Sequence, residues 1–359
     1  MRSTITLFAF GLGLLATPAL AAVSGKAPAV LASAVDEVIL PGYRAFDDRT
    51  GRLEEAMKAL CTDPSAEAEA AAREAFADTL KAWGPVEIIR SGPALEKNRF
   101  ERVLYHPDRK GIALKQIQAI LSKKDESATA VETLSGKSVG VQGLGALEFV
   151  LYGKGHETLQ AEKASHRCRY GAAIAGNLHA IAGEFVAAWQ APGGIATSWK
   201  TPGPQNPAFR TEEEAVVELL GIMVHGAEMV RDQRIRAFAG EKDAKANPKQ
   251  AIFWRSGNTW TMIGADIDGL IGFWKKAGME DLLADDQRSV GTSIAFVMKA
   301  MARTARSVSP DIELALSEPE ERARIDFLML NGRDLITRLS DDYGRALGLG
   351  AGFSFSDGD

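Results

Sequence analysis

Two cysteines in 359 residues are too few for a disulfide framework and enough for one bridge. Cationic excess is missing as well. The 42 Lys and Arg are outnumbered by 47 Asp and Glu, a net charge of -5, and they are dispersed, which excludes the basic stripe of a nucleic-acid or anionic-membrane binder. Past the amino end, no apolar run approaches the roughly 18 residues that a transmembrane helix needs. The strict apolar/polar alternation of a half-buried strand is confined to two short ambiguous pieces, Val86-Glu87-Ile88 and Val139-Gly140-Val141. No H-E-x-x-H zinc-peptidase motif occurs, and no two of His106, His156, His166, His179 and His225 lie a helical turn apart. Gly136-Lys137-Ser138 ends like a phosphate-binding loop but lacks its leading glycine.

What is present begins with a leader. Met1-Arg2-Ser3 precedes the apolar run from Ile5 to Ala16, and Ala19-Leu20-Ala21 supplies a small-residue cleavage site before Ala22. That order describes a secretory signal peptide cut after Ala21, and no Cys follows the cut to carry a lipid anchor. The expected location is a bacterial periplasm, with no membrane insertion. In that oxidising compartment Cys61 and Cys168 are expected to pair, two buried free thiols being the alternative. Closing a loop of this length is worth at most roughly 4–5 kcal/mol in the chain-entropy model.

The remaining chain has helical periodicity. Val30, Leu31, Ala34, Val38 and Ile39 lie at helical spacing, with a kink or interruption expected at Pro41-Gly42 before Tyr43 to Leu60. Asp63-Pro64-Ser65 ends that helix and caps another from Ala66 to about Trp83. Further helices are expected at 110–121, 126–134, 143–152, 164–190, 211–239, 258–276, 287–306 and 319–347. The expected class is all-α. Four prolines and three glycines in 191–210 break the pattern in mid-chain. The expected division is a leader (1–21), an N-terminal helical bundle (22–192), a linker (193–210) and a C-terminal bundle (211–359), with any site between the bundles.

One helix face offers chemistry. His225, Glu228 and Asp232 fall at i, i+3 and i+7, a spacing able to present metal ligands, or else an ordinary polar face neutralised by Arg231, Arg234 and Arg236. Glu162 and His166 form an i, i+4 pair that reads as solvent-facing, and Trp83, Trp189 and Trp274 read as core or cap packing.

Several segments together resemble the imelysin-like family of exported bacterial proteins. They are Pro41-Gly42-Tyr43, Cys61, Trp83, Gly92-Pro93, Asn98-Arg99-Phe100-Glu101-Arg102 and His106-Pro107-Asp108, then Gly143-Leu144-Gly145-Ala146-Leu147-Glu148-Phe149, Cys168, Trp254-Arg255-Ser256-Gly257 and the tail from Gly352 to Asp359. The resemblance spans almost the whole mature chain. It implies two packed helical bundles, export, and a link to iron regulation or uptake, with iron or another divalent metal as the conceivable cofactor. It also implies a periplasmic or outer-membrane iron-uptake protein as the conceivable partner of a monomeric chain. The family motif G-x-H-x-x-E falls on Gly143, Gly145 and Glu148, so Gly145 stands at the histidine position and Glu148 is a lone carboxylate, a poor transition-metal ligand.

The leading expectation is therefore a non-enzymatic protein that binds a ligand, iron species or partner between the bundles. The alternatives are a metallopeptidase and an interaction scaffold. Gly143, Gly145 and Glu148 with Arg90, Arg99, Arg102, Arg255 and Ser256 are the candidate ligand site, because a carboxylate in a tight junction requires a cation. Pairing of Glu148 with Arg255 is expected. The metal set to test is Glu148 with His225, Glu228 and Asp232.

Overall fold

Side-chain caps set where the long helices begin. Ser65 Oγ accepts from the Ala68 amide at 3.1 Å, Ser165 Oγ from Cys168 at 3.2 Å and Thr211 Oγ1 from Glu214 at 3.1 Å, each satisfying a first-turn N–H that has no intrahelical partner. The computed structural model describes residues 18–240 and 245–349 and has no strand among them. The expected leader through Thr17 and the tail Gly352–Asp359 lie outside the described residues. The first part of the chain forms α1 (Pro18–Ser33), α2 (Leu40–Thr62), α3 (Ala66–Glu87), α4 (Leu144–Tyr152) and α5 (His166–Gln190). The second forms α6 (Glu212–Glu228), α7 (Thr259–Lys276), α8 (Arg288–Ser307) and α9 (Pro319–Thr337).

Both ambiguous strand pieces are helical: 86–88 closes α3, and Val139–Val141 is a 3₁₀ turn. Gly136-Lys137-Ser138-Val139-Gly140 has the G-x-S-x-G spacing of a nucleophile elbow. The elbow requires a strand running into a helix, and Ser138 instead stands just before this 3₁₀ turn.

Pro41-Gly42 does not interrupt the first helix. A π-helical turn, Ala34–Ile39, joins α1 directly to α2. Proline has no N–H and its ring crowds the carbonyl one turn back, and the wider π turn relieves both without ending the helix. Gly42 serves packing instead, since a Cβ there would sit 2.6 Å from Val86 Cγ1. A second π turn, Met229–Ile235, extends α6.

Helix α2 packs on both α3 and α5, and its end is tied to the start of α5 by the Cys61–Cys168 disulfide across 107 residues. In the second part α7 packs on α8, α8 on α9 and α9 on α6. Contacts cross between the parts: α3 lies along α7, the π turn Ala34–Ile39 meets α7, and α1 lies against α6 and the turn Met279–Leu282. Buried side chains of both parts join in one hydrophobic cluster, in which Tyr43, Phe46, Trp83, Phe185 and Trp189 stack at 4.7–6.2 Å between ring centres. Trp83, Trp189 and Trp274 are all core residues. The break at 191–210 holds a short helix of its own, Ile195–Lys200, whose Trp199 is buried against Phe209 at 5.1 Å.

Candidate functional site

Helix α4 starts with two glycines that act differently. Gly143, at its N-cap, is where the backbone of the preceding segment passes: a Cβ would stand 2.4 Å from the Val103 carbonyl oxygen and 2.6 Å from that of Arg102. Gly145 faces open space, with nothing within 4 Å of where its Cβ would be. One turn later Glu148 is buried, 3% exposed. Its Oε1 accepts from the Ser256 amide and from Ser256 Oγ, both at 3.1 Å, and Oε2 lies 3.6 Å from Arg255 Nη1. Burial pushes its carboxyl above the usual range, with Arg255 and Ser256 opposing the shift.

The partners come from the second part of the chain, in a loop held by its own polar bonds. Ser256 Oγ also donates to the Phe253 carbonyl at 3.0 Å, and Thr259 Oγ1 to that of Ile252 at 2.6 Å. Phe253 occupies the left-handed region at φ 52°, a conformation a bulky residue keeps only where its surroundings impose it. Its ring is edge-on to Phe76 at 5.7 Å. Arg255 lies over both Trp254 (4.5 Å) and Phe149 (5.4 Å), so its guanidinium is fixed by two rings and a carboxylate.

Gly145, Glu148 and Phe149 form one wall of a cleft of about 160 Å³; the others are the segments 104–117 and 249–255. Arg109, Lys249 and Arg255 give it cationic character. Of its acids, Asp108 is already engaged, accepting from the amides of Ile112 (2.8 Å) and Leu114 (3.1 Å). His106 also lines the cleft. Its Nε2 has no partner, and burial together with the charge of Arg234 holds its pKa at about 3, so the ring is neutral across the physiological range.

Of the candidate arginines only Arg255 reaches Glu148. Arg99 and Arg102 converge on Glu184, at 2.9 and 3.2 Å, and Arg90 lies over the Phe100 ring at 4.1 Å. Nor does the fold assemble the metal set. His225 Nδ1 lies 3.1 Å from Glu228, and Asp232 sits 3.2 Å from Arg231 and 3.4 Å from Arg236, whereas Glu148 is committed to Ser256 and Arg255. Among the described residues no three His, Cys, Asp or Glu side chains are grouped to hold a metal ion. With Gly145 at the histidine position, this donor set does not fit a transition metal.

Arg234 does not neutralise that outer face. It turns inward to an ion pair with Glu87, with Asp266 Oδ2 3.9 Å from its Nε, all three fully buried between α3, the second π turn and α7. His166 is buried too, its Nε2 3.1 Å from the Asp125 carbonyl. The signals that could have exposed Arg234 and His106 are slight: an arginine amid Val230 and Ile235, and a histidine within the His106-Pro107-Asp108 segment.

Solved structures share this fold. An imelysin-like protein from Psychrobacter arcticum superposes with a TM-score of 0.75 at 16% identity, covering 92% of this chain and 98% of that one. A protein described as an iron-regulated protein A precursor, from Parabacteroides distasonis, gives 0.74 at 16% identity over 90% and 95%. Comparison with curated proteins finds no match. The family model described as Imelysin matches residues 39–339, which takes in both helical parts and every wall of the cleft. The chain belongs to the imelysin family.

Proposed function

We propose that this protein is exported to the periplasm and works there without catalysis, binding an iron species or small ligand in the cleft above Glu148 as part of iron uptake. The observation that carries the reading is the state of Glu148. Its oxygens are taken up by Ser256 and Arg255, so it holds the two walls together and is not left to bind a bare metal ion or polarise a water. What faces the cleft is cationic and apolar: Arg109 and Lys249 beside Trp254 and Phe149. Such a lining suits iron delivered as an anionic chelate with an organic body. The iron-regulated neighbour and the family lend support, and no helix among the described residues is long and apolar enough to cross a membrane, which suits an exported protein without an anchor.

Gly145 offers the test, because it lines the cleft and a Cβ added there has no protein atom within 4 Å. Gly145→Leu is expected to leave the melting temperature unchanged or slightly raised, as replacing a helical glycine adds roughly 0.5–1 kcal/mol. It should abolish binding of ferric citrate, followed through the fluorescence of Trp254, and reproduce the growth defect of a deletion strain in iron-poor medium. Growth and transcription indifferent to iron and to deletion would remove the iron role. Stoichiometric metal by elemental analysis together with chelator-sensitive proteolysis would overturn the non-catalytic reading.

A further inference from the structure

Phe149 lines the cleft and also a second cavity, larger at about 510 Å³. That cavity is lined by the end of the helix Ile112–Lys123, the turn around Lys154 and Gly155, and the first residues of α5, and is open to solvent. Its apolar walls include Leu121 and Phe149. Of its charged side chains Lys124, Lys154 and Arg167 are cationic, and Glu162 is acidic. His166 completes the lining at the start of α5.

Two independent features at this spot select negative charge. The first is the amino end of a 25-residue helix, where the aligned peptide dipoles amount to roughly half a positive charge and Ser165 Oγ satisfies only the Cys168 amide. The second is Arg167, 7% exposed. Its Nη atoms donate to the carbonyls of Lys154 (3.0 Å) and Phe149 (3.2 Å), its Nε has no partner, and no carboxylate lies within ion-pair distance of it among the described residues. Glu157 acts on it only from further off. The Phe149 ring lies 5.6 Å from the Arg167 guanidinium carbon, so the close neighbours of this charge are a ring and neutral carbonyls with no counter-ion, a costly state that an anion relieves. His166 beside it is 8% exposed. A carbonyl can only accept, so Nε2 carries the proton given to Asp125, and the unpartnered Nδ1 is an acceptor that suits a protonated oxygen of the head group and adds no positive charge.

We propose that this cavity is a binding site for a small amphipathic oxyanion. The phosphate or carboxylate group lies at the start of α5 against Arg167 and Lys154, and the apolar body lies over Leu121 and Phe149. The site is separate from the cleft above Glu148, with which it shares the Phe149 wall, and it does not depend on that cleft's function.

The test is calorimetric titration of the full mature chain at low salt with phenyl phosphate, benzoate and inorganic phosphate. Saturable 1:1 binding is expected for phenyl phosphate or benzoate, tighter than for inorganic phosphate because the ring is buried. Which of the two binds better identifies the head group. Lys154→Gln and Arg167→Gln are each expected to weaken binding by about tenfold or more, the scale of one charge-assisted hydrogen bond. Glu162→Gln should tighten it, an effect that mere support of the fold would not produce. Gly145→Leu, which fills the other cleft, should leave it unchanged. Since Arg167 also supports two carbonyls and its variant can fail to fold, the surface double variant Lys124→Gln/Lys154→Gln decides in that case. The proposal is overturned if neither aromatic anion binds the native chain, or if the double variant binds as tightly as wild type.

Discussion

At Glu148 two opposing effects meet on one carboxylate. Arg255 and Ser256 favour its charge, yet burial outweighs them and its carboxyl titrates above the ordinary 4.5. A carboxyl whose pKa is raised by folding keeps its proton where the unfolded chain has lost it. Its contribution therefore favours folding at low pH and draws stability down as the pH climbs from about 4.5 through the folded value. Glu148→Gln removes that titration while leaving an amide oxygen for Ser256, and Arg255, partly exposed, keeps the Trp254 and Phe149 rings beneath it. The variant is expected to be more stable than the native protein at pH 7, with the difference vanishing as the pH falls below about 4.5. Urea midpoints across that range measure it; a variant less stable at pH 7 would mean that the ion pair outweighs desolvation. The Glu148–Arg255 contact was legible in the sequence, because a carboxylate among small and apolar residues needs a cation and Arg255 stands in another family-like segment. The inward turn of Arg234 and the neutral ring of His106 were not, since both depend on which helices cover them.

The helices were read from the sequence wherever a local rule decides them. Asp63-Pro64-Ser65 ends α2 at Thr62 and caps α3 as expected, whereas Ser165 and Thr211, read as lying inside their helices, are the caps of α5 and α6. The π turns were not legible, because they are chosen by packing. That missing piece also misplaced chemistry: the face assigned to His225, Glu228 and Asp232 assumed an unbroken 3.6-residue period. The wide turn at Met229–Ile235 shifts the register by roughly 100° for each extra residue it holds, and Arg234 comes to face inward. Glycines show the same division between local and tertiary causes. A Cβ on Gly84 would stand 2.5 Å from Ala265 Cβ and 2.7 Å from its carbonyl carbon, where α3 crosses α7, whereas Gly272 on α7 has nothing within 4 Å. Gly84→Ala is expected to cost about 1–3 kcal/mol by forcing the two helices apart, and Gly272→Ala to add roughly 0.5–1 kcal/mol by relieving the entropy of a helical glycine. Thermal and urea unfolding of the two variants side by side test this, and equal effects would contradict the close approach.

On the scale of the whole molecule, the sequence shows where the chain breaks but not where each helix docks. Periodicity gives every amphipathic helix an apolar face and leaves its partner unnamed. Thus the Pro- and Gly-rich break at 191–210 is plain, yet α1, far upstream of it, packs on α6 downstream, and Lys26 Nζ donates to the Leu283 carbonyl at 3.2 Å. Lys200, within the break, pairs with Asp36 at 2.5 Å. The two parts are thereby joined by α1, by α3 along α7, and by the buried Glu87–Arg234–Asp266 cluster, none of which needs a covalent link at 203–207. The disulfide lies wholly upstream of that stretch and cannot hold the parts together. A protease site inserted between Gln205 and Asn206, both away from the core, should therefore yield two pieces that elute as one species under native conditions. They should unfold in a single transition and separate only in denaturant, with or without reductant. Pieces that part on a sizing column before unfolding would show that the contacts of α1 and α3 are held by the connection, and that the two bundles are stable independently.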